Sequence, residues 1–292
     1  MAYSSIWTDL IGMTFSQKWV QAGTIRTRCL EAGDRNKPTL VFIHGTGGHA
    51  EAYVRNIGPH SEHFHVYVID MVGHGFSDKP DQTYNFIDFV YHLRDFLDAE
   101  GIDRVSISGE SMGAGIAAWF ARTYPDRVDK IVLNTGAALR LEQAVVERLA
   151  SLSIDAVRNA SEETVRKRLE FLMKDPQDVT EDMVQTRLAI YRQPELVDRM
   201  PKIFEARHTD PKGQDRNCLT EEHWRDFKPP TLVLWTSDDP TAPIEAGKQV
   251  ADWIPDSRFE VMDDCGHWPQ YEDAETFNKI HLDFLLGRDA AA

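Results

Sequence analysis

The chain has 292 residues, 42% of them hydrophobic and 27% charged, with a formal net charge of −15. That length and balance suit one large globular domain, or one core domain carrying an insertion. So acidic a chain is a poor partner for nucleic acid or an anionic membrane, both of which need clustered Lys and Arg.

Residues 1–20 lack a basic start and a continuous apolar segment, so no signal peptide is expected, and no apolar run is long enough to span a bilayer. The runs TLVFIH (39–44), HVYVID (65–70), RVSIS (104–108), KIVLN (130–134) and TLVLW (231–235) are short, β-branched and bounded by turn residues. They predict buried strands. Between them lie helical patterns over 86–101 and 112–125, the second stopped by Pro125. RFEVMD (258–263) predicts a further strand and FNKIHLDFLL (277–286) a closing helix. Strand and helix in alternation predict a mostly parallel sheet with helices on both faces.

From about 138 to 220 no strand pattern occurs. Helical patterns take its place at 141–152, 162–173 and 181–192, the last with Thr180 as N-cap. This predicts a helical cap, residues 138–220, inserted into a core made of 1–137 and 221–292. Leu152, Phe171, Leu172 and Met173 are its candidates for lining an apolar pocket.

GESMGAG (109–115) stands between a strand pattern and a helix pattern rich in small residues. A nucleophilic serine needs exposure, a base, and donors for the oxyanion it creates. A Gly-x-Ser-x-Gly turn provides the exposure, and the helix that follows points free N–H groups at the site. Ser111 is therefore the candidate nucleophile. DDPTAP (238–243) and DDCGHWPQ (263–270) each follow a predicted strand, where open α/β sheets build their sites. They place an aspartate and His267 in the chain order Ser, Asp, His of the hydrolases that use this turn. Asp238 competes with Asp239. Asp239 is preferred because Asp239-Pro240-Thr241-Ala242-Pro243 fits an aspartate, two residues of any kind, an apolar residue and a proline. The oxyanion donors are expected to be the N–H of Met112 and that of Thr46, in the loop HGTGG (44–48).

These motifs, with DMVGHGFSDKP (70–80), resemble the α/β-hydrolase superfamily over essentially the whole chain. RNIGP (55–59), SMGAG, the Gly266-His267-Trp268 run and DVTEDMVQTRLAIYRQPE (178–195) resemble, more particularly, the meta-cleavage-product hydrolases of aromatic-ring degradation. The resemblance implies hydrolysis of a C–C bond in a 2-hydroxy-6-oxo-hexa-2,4-dienoate, giving a 2-hydroxypentadienoate and a carboxylic acid, with no cofactor or metal. It implies a small organic acid as the molecule bound and a homo-oligomer, dimer or larger. It also implies that a cap arginine grips the substrate carboxylate. Arg187 matches, and it lies on an apolar stripe of Met183, Val184, Ile190 and Tyr191, where a guanidinium calls for an anion. Trp268, beside the base, joins Arg187 as a substrate-binding candidate.

Two departures bear on the substrate. The loop after His44-Gly45 is short, and Glu110 stands where the family commonly has asparagine. A carboxylesterase or lactonase could use the same frame, and a binding protein on this fold is a third reading, disfavoured by three intact candidates. His60, His63 and His65 are read as a surface loop rather than a metal site, Cys265 as a packing thiol, and Gly73, Gly75 and Ser77 as turn formers. Cys29, Cys218 and Cys265 are odd in number and widely spaced, and are expected to be reduced thiols in a cytoplasm.

Overall fold

The computed structural model describes residues 5–206 and 211–288. Among these, eight strands form one sheet: β1 Phe15–Ala22, β2 Ile25–Ala32, β3 Thr39–Ile43, β4 His65–Ile69, β5 Val105–Glu110, β6 Val128–Asn134, β7 Thr231–Thr236 and β8 Ser257–Met262. Their order across the sheet is β1-β2-β4-β3-β5-β6-β7-β8. From β4 to β8 all neighbours are parallel, while β1 and β2 are antiparallel to each other and β2 to β4. Each strand predicted from an apolar run is present, within a few residues of its predicted ends.

The reason is visible in β3. Val41 and Ile43 face one core layer, with Phe89 and Leu93 of a helix over Phe86–Ala99. Leu40 and Phe42 face the other, with Ile57 of a helix over Val54–Ser61. A strand covered on both faces reads as a continuous apolar run. The hairpin β1–β2 carries no such signal. β1 is an edge strand with exposed polar positions, and β2 buries Arg28 and Glu31 through ion pairs: Arg28 with Asp70 and Glu51, Glu31 with Lys18 and His65.

Between β6 and β7 lie helices Gln143–Arg158, Glu162–Glu170, Glu181–Tyr191, Leu196–Phe204, Pro211–Asn217 and Glu221–Arg225, with no strand among the described residues. Thr180 caps Glu181–Tyr191, its hydroxyl accepting the Met183 N–H at 3.3 Å. The inserted helices are tied to the loops below them. Tyr191 donates its hydroxyl to the Gly47 carbonyl at 3.1 Å, and Gln193 reaches Lys79 and the Gly75 carbonyl at 2.9 Å.

The histidine cluster departs from expectation. His60 and His65 are buried rather than in a surface loop. His60 bonds the Asn56 carbonyl and His281, which in turn reaches the Ser108 hydroxyl of the central strand β5 at 2.8 Å. His65 pairs with Glu31 at 2.8 Å. One of the two partners that absorb the polarity of His60, His281, lies 221 residues away, and spacing alone cannot show it. Cys265 is buried, as a packing thiol should be. Gly73 and Gly75 take positive φ, and Ser77 spans the turn by donating to the Asp70 carbonyl.

Candidate active site

Ser111 joins β5 to the helix Met112–Thr123 with φ 55° and ψ −113°, a conformation that non-glycine residues rarely hold. The neighbours enforce it. A Cβ on Gly109 would stand 2.1 Å from the Gly113 carbonyl, and one on Gly113 would stand 2.2 Å from the Ile43 carbonyl oxygen. Only glycine at both positions lets the turn close this tightly. Ser111 is consequently lifted into a cavity at the carboxyl ends of the strands, while its own N–H is tied to the Asn134 carbonyl at 2.9 Å.

His267 lines the same cavity. Its Nδ1 lies 3.0 Å from both carboxylate oxygens of Asp239, whose side chain is fully buried. Asp239 is held in turn by the Thr241 N–H and hydroxyl, at 2.8 and 2.7 Å. Asp238 points away, exposed, toward Ser237 and Lys174. Of the two aspartates, Asp239 is the one in contact with His267. The His267 backbone is also pinned. Its N–H donates to the Leu172 carbonyl at 2.7 Å, and its carbonyl accepts from the Thr135 hydroxyl at 3.0 Å. The flanking Gly266 and Trp268 N–H groups, with that of Lys174, all donate to the Glu272 carboxylate at 2.8–2.9 Å. Burial works against a charged His267, but the charges of Asp239 and Glu110 outweigh it and hold the imidazole above its ordinary range.

Met112 is the first residue of its helix, so its N–H has no partner within the helix. Thr46 lines the cavity from the turn Gly45–Gly48, which is closed by a Gly48 N–H to Gly45 carbonyl bond of 3.0 Å. Both expected oxyanion donors therefore border the space above Ser111. Trp268 lines it too. Of the four apolar cap candidates only Leu172 does; Leu139, Leu141 and Leu149 take the places expected of Leu152, Phe171 and Met173.

Arg187 is buried, and its three guanidinium nitrogens have no hydrogen-bond partner among the described residues. It does not line the cavity. Its guanidinium lies over the Trp268 ring, 5.1 Å from the centroid, one layer back. The arginine that reaches the cavity wall is Arg168, which the sequence reading missed. It is buried as well. Its Nε donates to the Ser153 hydroxyl at 2.8 Å while Nη1 is unpartnered, and burial pulls it down to about 10. The signal that singled out Arg187 was available for Arg168, which sits among Val165, Leu169 and Leu172 at helical spacing. Glu110 also lines the cavity, fully buried, and accepts the Gly45 N–H at 2.6 Å.

Residues 38–274 match the family described by the α/β hydrolase fold. The chain is 33% identical to a 2-hydroxy-6-oxononadienedioate/2-hydroxy-6-oxononatrienedioate hydrolase of Paraburkholderia phymatum, over 85% of this chain and 87% of that protein. It is 30% identical to a 2-hydroxy-6-oxo-6-phenylhexa-2,4-dienoate hydrolase of Comamonas testosteroni, over 88% and 90%. Among solved structures, the meta-cleavage product hydrolase CumD of Pseudomonas fluorescens superposes with a TM-score of 0.80 at 26% identity, over 96% of this chain and all of that one. With its sheet order, its serine turn and these relatives, the chain belongs to the α/β-hydrolase fold family and, within it, is of the meta-cleavage-product hydrolase type.

Proposed function

We propose that the protein hydrolyses the C5–C6 bond of a 2-hydroxy-6-oxo-hexa-2,4-dienoate, with Ser111, His267 and Asp239 as its triad. The observation that carries this reading is the pair of buried guanidiniums, Arg168 and Arg187, near a serine–histidine–aspartate set and with no carboxylate in hydrogen-bond contact among the described residues. Buried cations demand an anionic partner, and a dienoate carboxylate provides one where a neutral ester does not. Relatives named for dienoate hydrolysis support the same class.

In this reading the dienol first becomes a ketone, which makes the later carbon leaving group tolerable. His267 Nε2 takes the Ser111 proton as Oγ adds to the C6 carbonyl, and Asp239 holds the imidazole in the tautomer that leaves Nε2 as the base. The Met112 and Thr46 N–H groups receive the oxyanion. The C5–C6 electron pair passes through C5 into the conjugated ketone, and the oxygen at C2 takes the proton from His267, giving the 2-hydroxypentadienoate. Water then releases the carboxylic acid from Ser111. Trp268 walls the substrate, and Arg168 at the cavity surface, backed by Arg187, meets its carboxylate.

The helices from Gln143 to Asn217 serve as a cap, residues 138–220, on a core of 1–137 and 221–292. The protein acts in the cytoplasm as a homo-oligomer, dimer or larger, which sedimentation of the purified chain tests; a monomer at micromolar concentration would remove that part of the reading. No helix among the described residues is long and apolar enough to cross a membrane. One feature favours a second reading: the Glu110 carboxyl in the cavity opposes an anionic head group and would suit a neutral ester.

The deciding experiment follows the loss of colour of yellow 6-phenyl and 6-alkyl dienoates, with Ser111→Ala as control and a short-chain aryl ester in parallel. Fast bleaching that requires Ser111 is the expected result. Brisk ester cleavage with no bleaching would replace the C–C hydrolase with an esterase.

A further inference from the structure

His267 has a carboxylate on each side of its ring. Asp239 takes Nδ1 at 3.0 Å, and Glu110 Oε1 stands 3.3 Å from Nε2, the nitrogen that has to receive the Ser111 proton. Glu110 is not free to swing away. Its other oxygen accepts the Gly45 N–H at 2.6 Å, and a Cβ on Gly45 would collide with both carboxylate oxygens, so the glycine leaves the room this carboxyl fills. Both side chains are almost completely buried, which leaves little water to take over either contact.

We propose that Glu110 is a positioning residue that shares one proton with His267 Nε2, so that the base becomes available to Ser111 only after that proton has left. Whether the pair is written as imidazolium and carboxylate or as imidazole and carboxylic acid, the count is the same. One proton lies between Nε2 and Oε1, and it leaves to solvent through the cavity mouth as the pH rises. The other groups facing the pair are Asp239 from the loop after β7, Arg168 and Arg187 from the inserted helices, and the Tyr53 hydroxyl. The arginines favour loss of the proton and Asp239 favours its retention. Burial pushes the Glu110 carboxyl up, and His267 is held up by its two carboxylates, both in the direction of retention.

The inference rests on the assignment of Ser111 and His267 as nucleophile and base, and not on the identity of the substrate. Its test is therefore the rate at which a fluorophosphonate modifies Ser111, measured from pH 5 to 10 in the wild type and in Glu110→Gln. The glutamine keeps an acceptor for the Gly45 N–H and removes the acid. In the wild type the rate should rise through a midpoint above the ordinary histidine value of about 6.5. In Glu110→Gln the midpoint should fall by about one pH unit, a tenfold change in proton concentration. Labelling of Ser111 with coincident profiles would overturn the role of Glu110 alone. No labelling of Ser111 in either protein would overturn the nucleophile assignment with it. Should Glu110→Gln fail to fold, the His267 ring-proton resonances of the wild type decide. Below the wild-type midpoint a proton held between Nε2 and Glu110 is expected beside the one on Nδ1, and a resonance from the Nδ1 proton alone would refute the proposal.

Discussion

Glu272 is half-buried under the loop that carries His267, and it accepts three backbone N–H groups: Lys174 at 2.9 Å, Gly266 at 2.8 Å and Trp268 at 2.9 Å. Glu272→Ala removes the two acceptor oxygens that hold all three bonds at once. A hydrogen bond to a charged group contributes about 1.5–3 kcal/mol when enclosed. At a half-buried site water replaces part of it, so about 1 kcal/mol each and about 3 kcal/mol in all is the expectation. The unfolding entropy is roughly 2.1 cal/mol/K per residue. For a chain of 292 residues this is about 0.6 kcal/mol/K, so the melting temperature should drop by roughly 5 °C. The catalytic loss should be larger than that number suggests. Gly266 and Trp268 flank His267, and a misplacement of about 1 Å of a catalytic group can cost about a hundredfold in rate. Circular dichroism against temperature and dienoate bleaching at 25 °C read the two effects separately. A melting temperature within 1 °C of wild type together with unchanged turnover would refute the view that this carboxylate sets the His267 loop.

Gly113→Ala should cripple turnover through the backbone, since its Cβ would stand 2.2 Å from the Ile43 carbonyl oxygen; normal fluorophosphonate labelling of that variant would contradict it. Asp239→Asn should lower kcat by about 10⁴ with little change in melting temperature, because the amide favours the wrong imidazole tautomer; a loss below tenfold would argue for another acid. Acid sensitivity should come from buried neutral histidines. Burial lowers His44 and His60 to about 4 and His92 to about 3. The unfolded chain therefore binds more protons than the folded one below about pH 6.5, so stability is full above that value and falls as the pH drops toward 4, by about 1.4 kcal/mol per pH unit for each group. A melting temperature that stays flat from pH 7.5 to 4.5 would refute this.

The parts of the fold that were legible are those whose signal is local. Strands buried on both faces show as apolar runs, and the Ser111 turn shows as two glycines that packing requires. The hairpin β1–β2 was not legible, because β1 is a polar edge and Arg28 is buried only by virtue of Asp70 and Glu51, which lie elsewhere in the chain. His60 looked like a surface residue for the same reason, its partner being His281. In the candidate site, the order Ser111, Asp239, His267 could be read from strand ends alone. Which arginine faces the cavity could not. Arg168 and Arg187 share the same apolar patterning, and only the packing of Trp268 against Arg187 separates them. Glu110 was visible as a departure from the family's asparagine, but its distance from His267 belongs to the tertiary structure.

The Leu172 carbonyl that holds the His267 N–H has a consequence for how proteins of this shape can exchange parts. The inserted helices look like a module that could be cut out between β6 and β7 and replaced to change the substrate. Yet the backbone of 172–174 completes the seat of the base, and Glu272 binds backbone on both sides of that boundary. A chimera that swaps the whole insertion would put foreign backbone under His267. One that grafts only the segments on either side, and keeps residues 171–174 with the core, would keep the base in register. Recombination that respects this seam can vary the pocket without touching the chemistry.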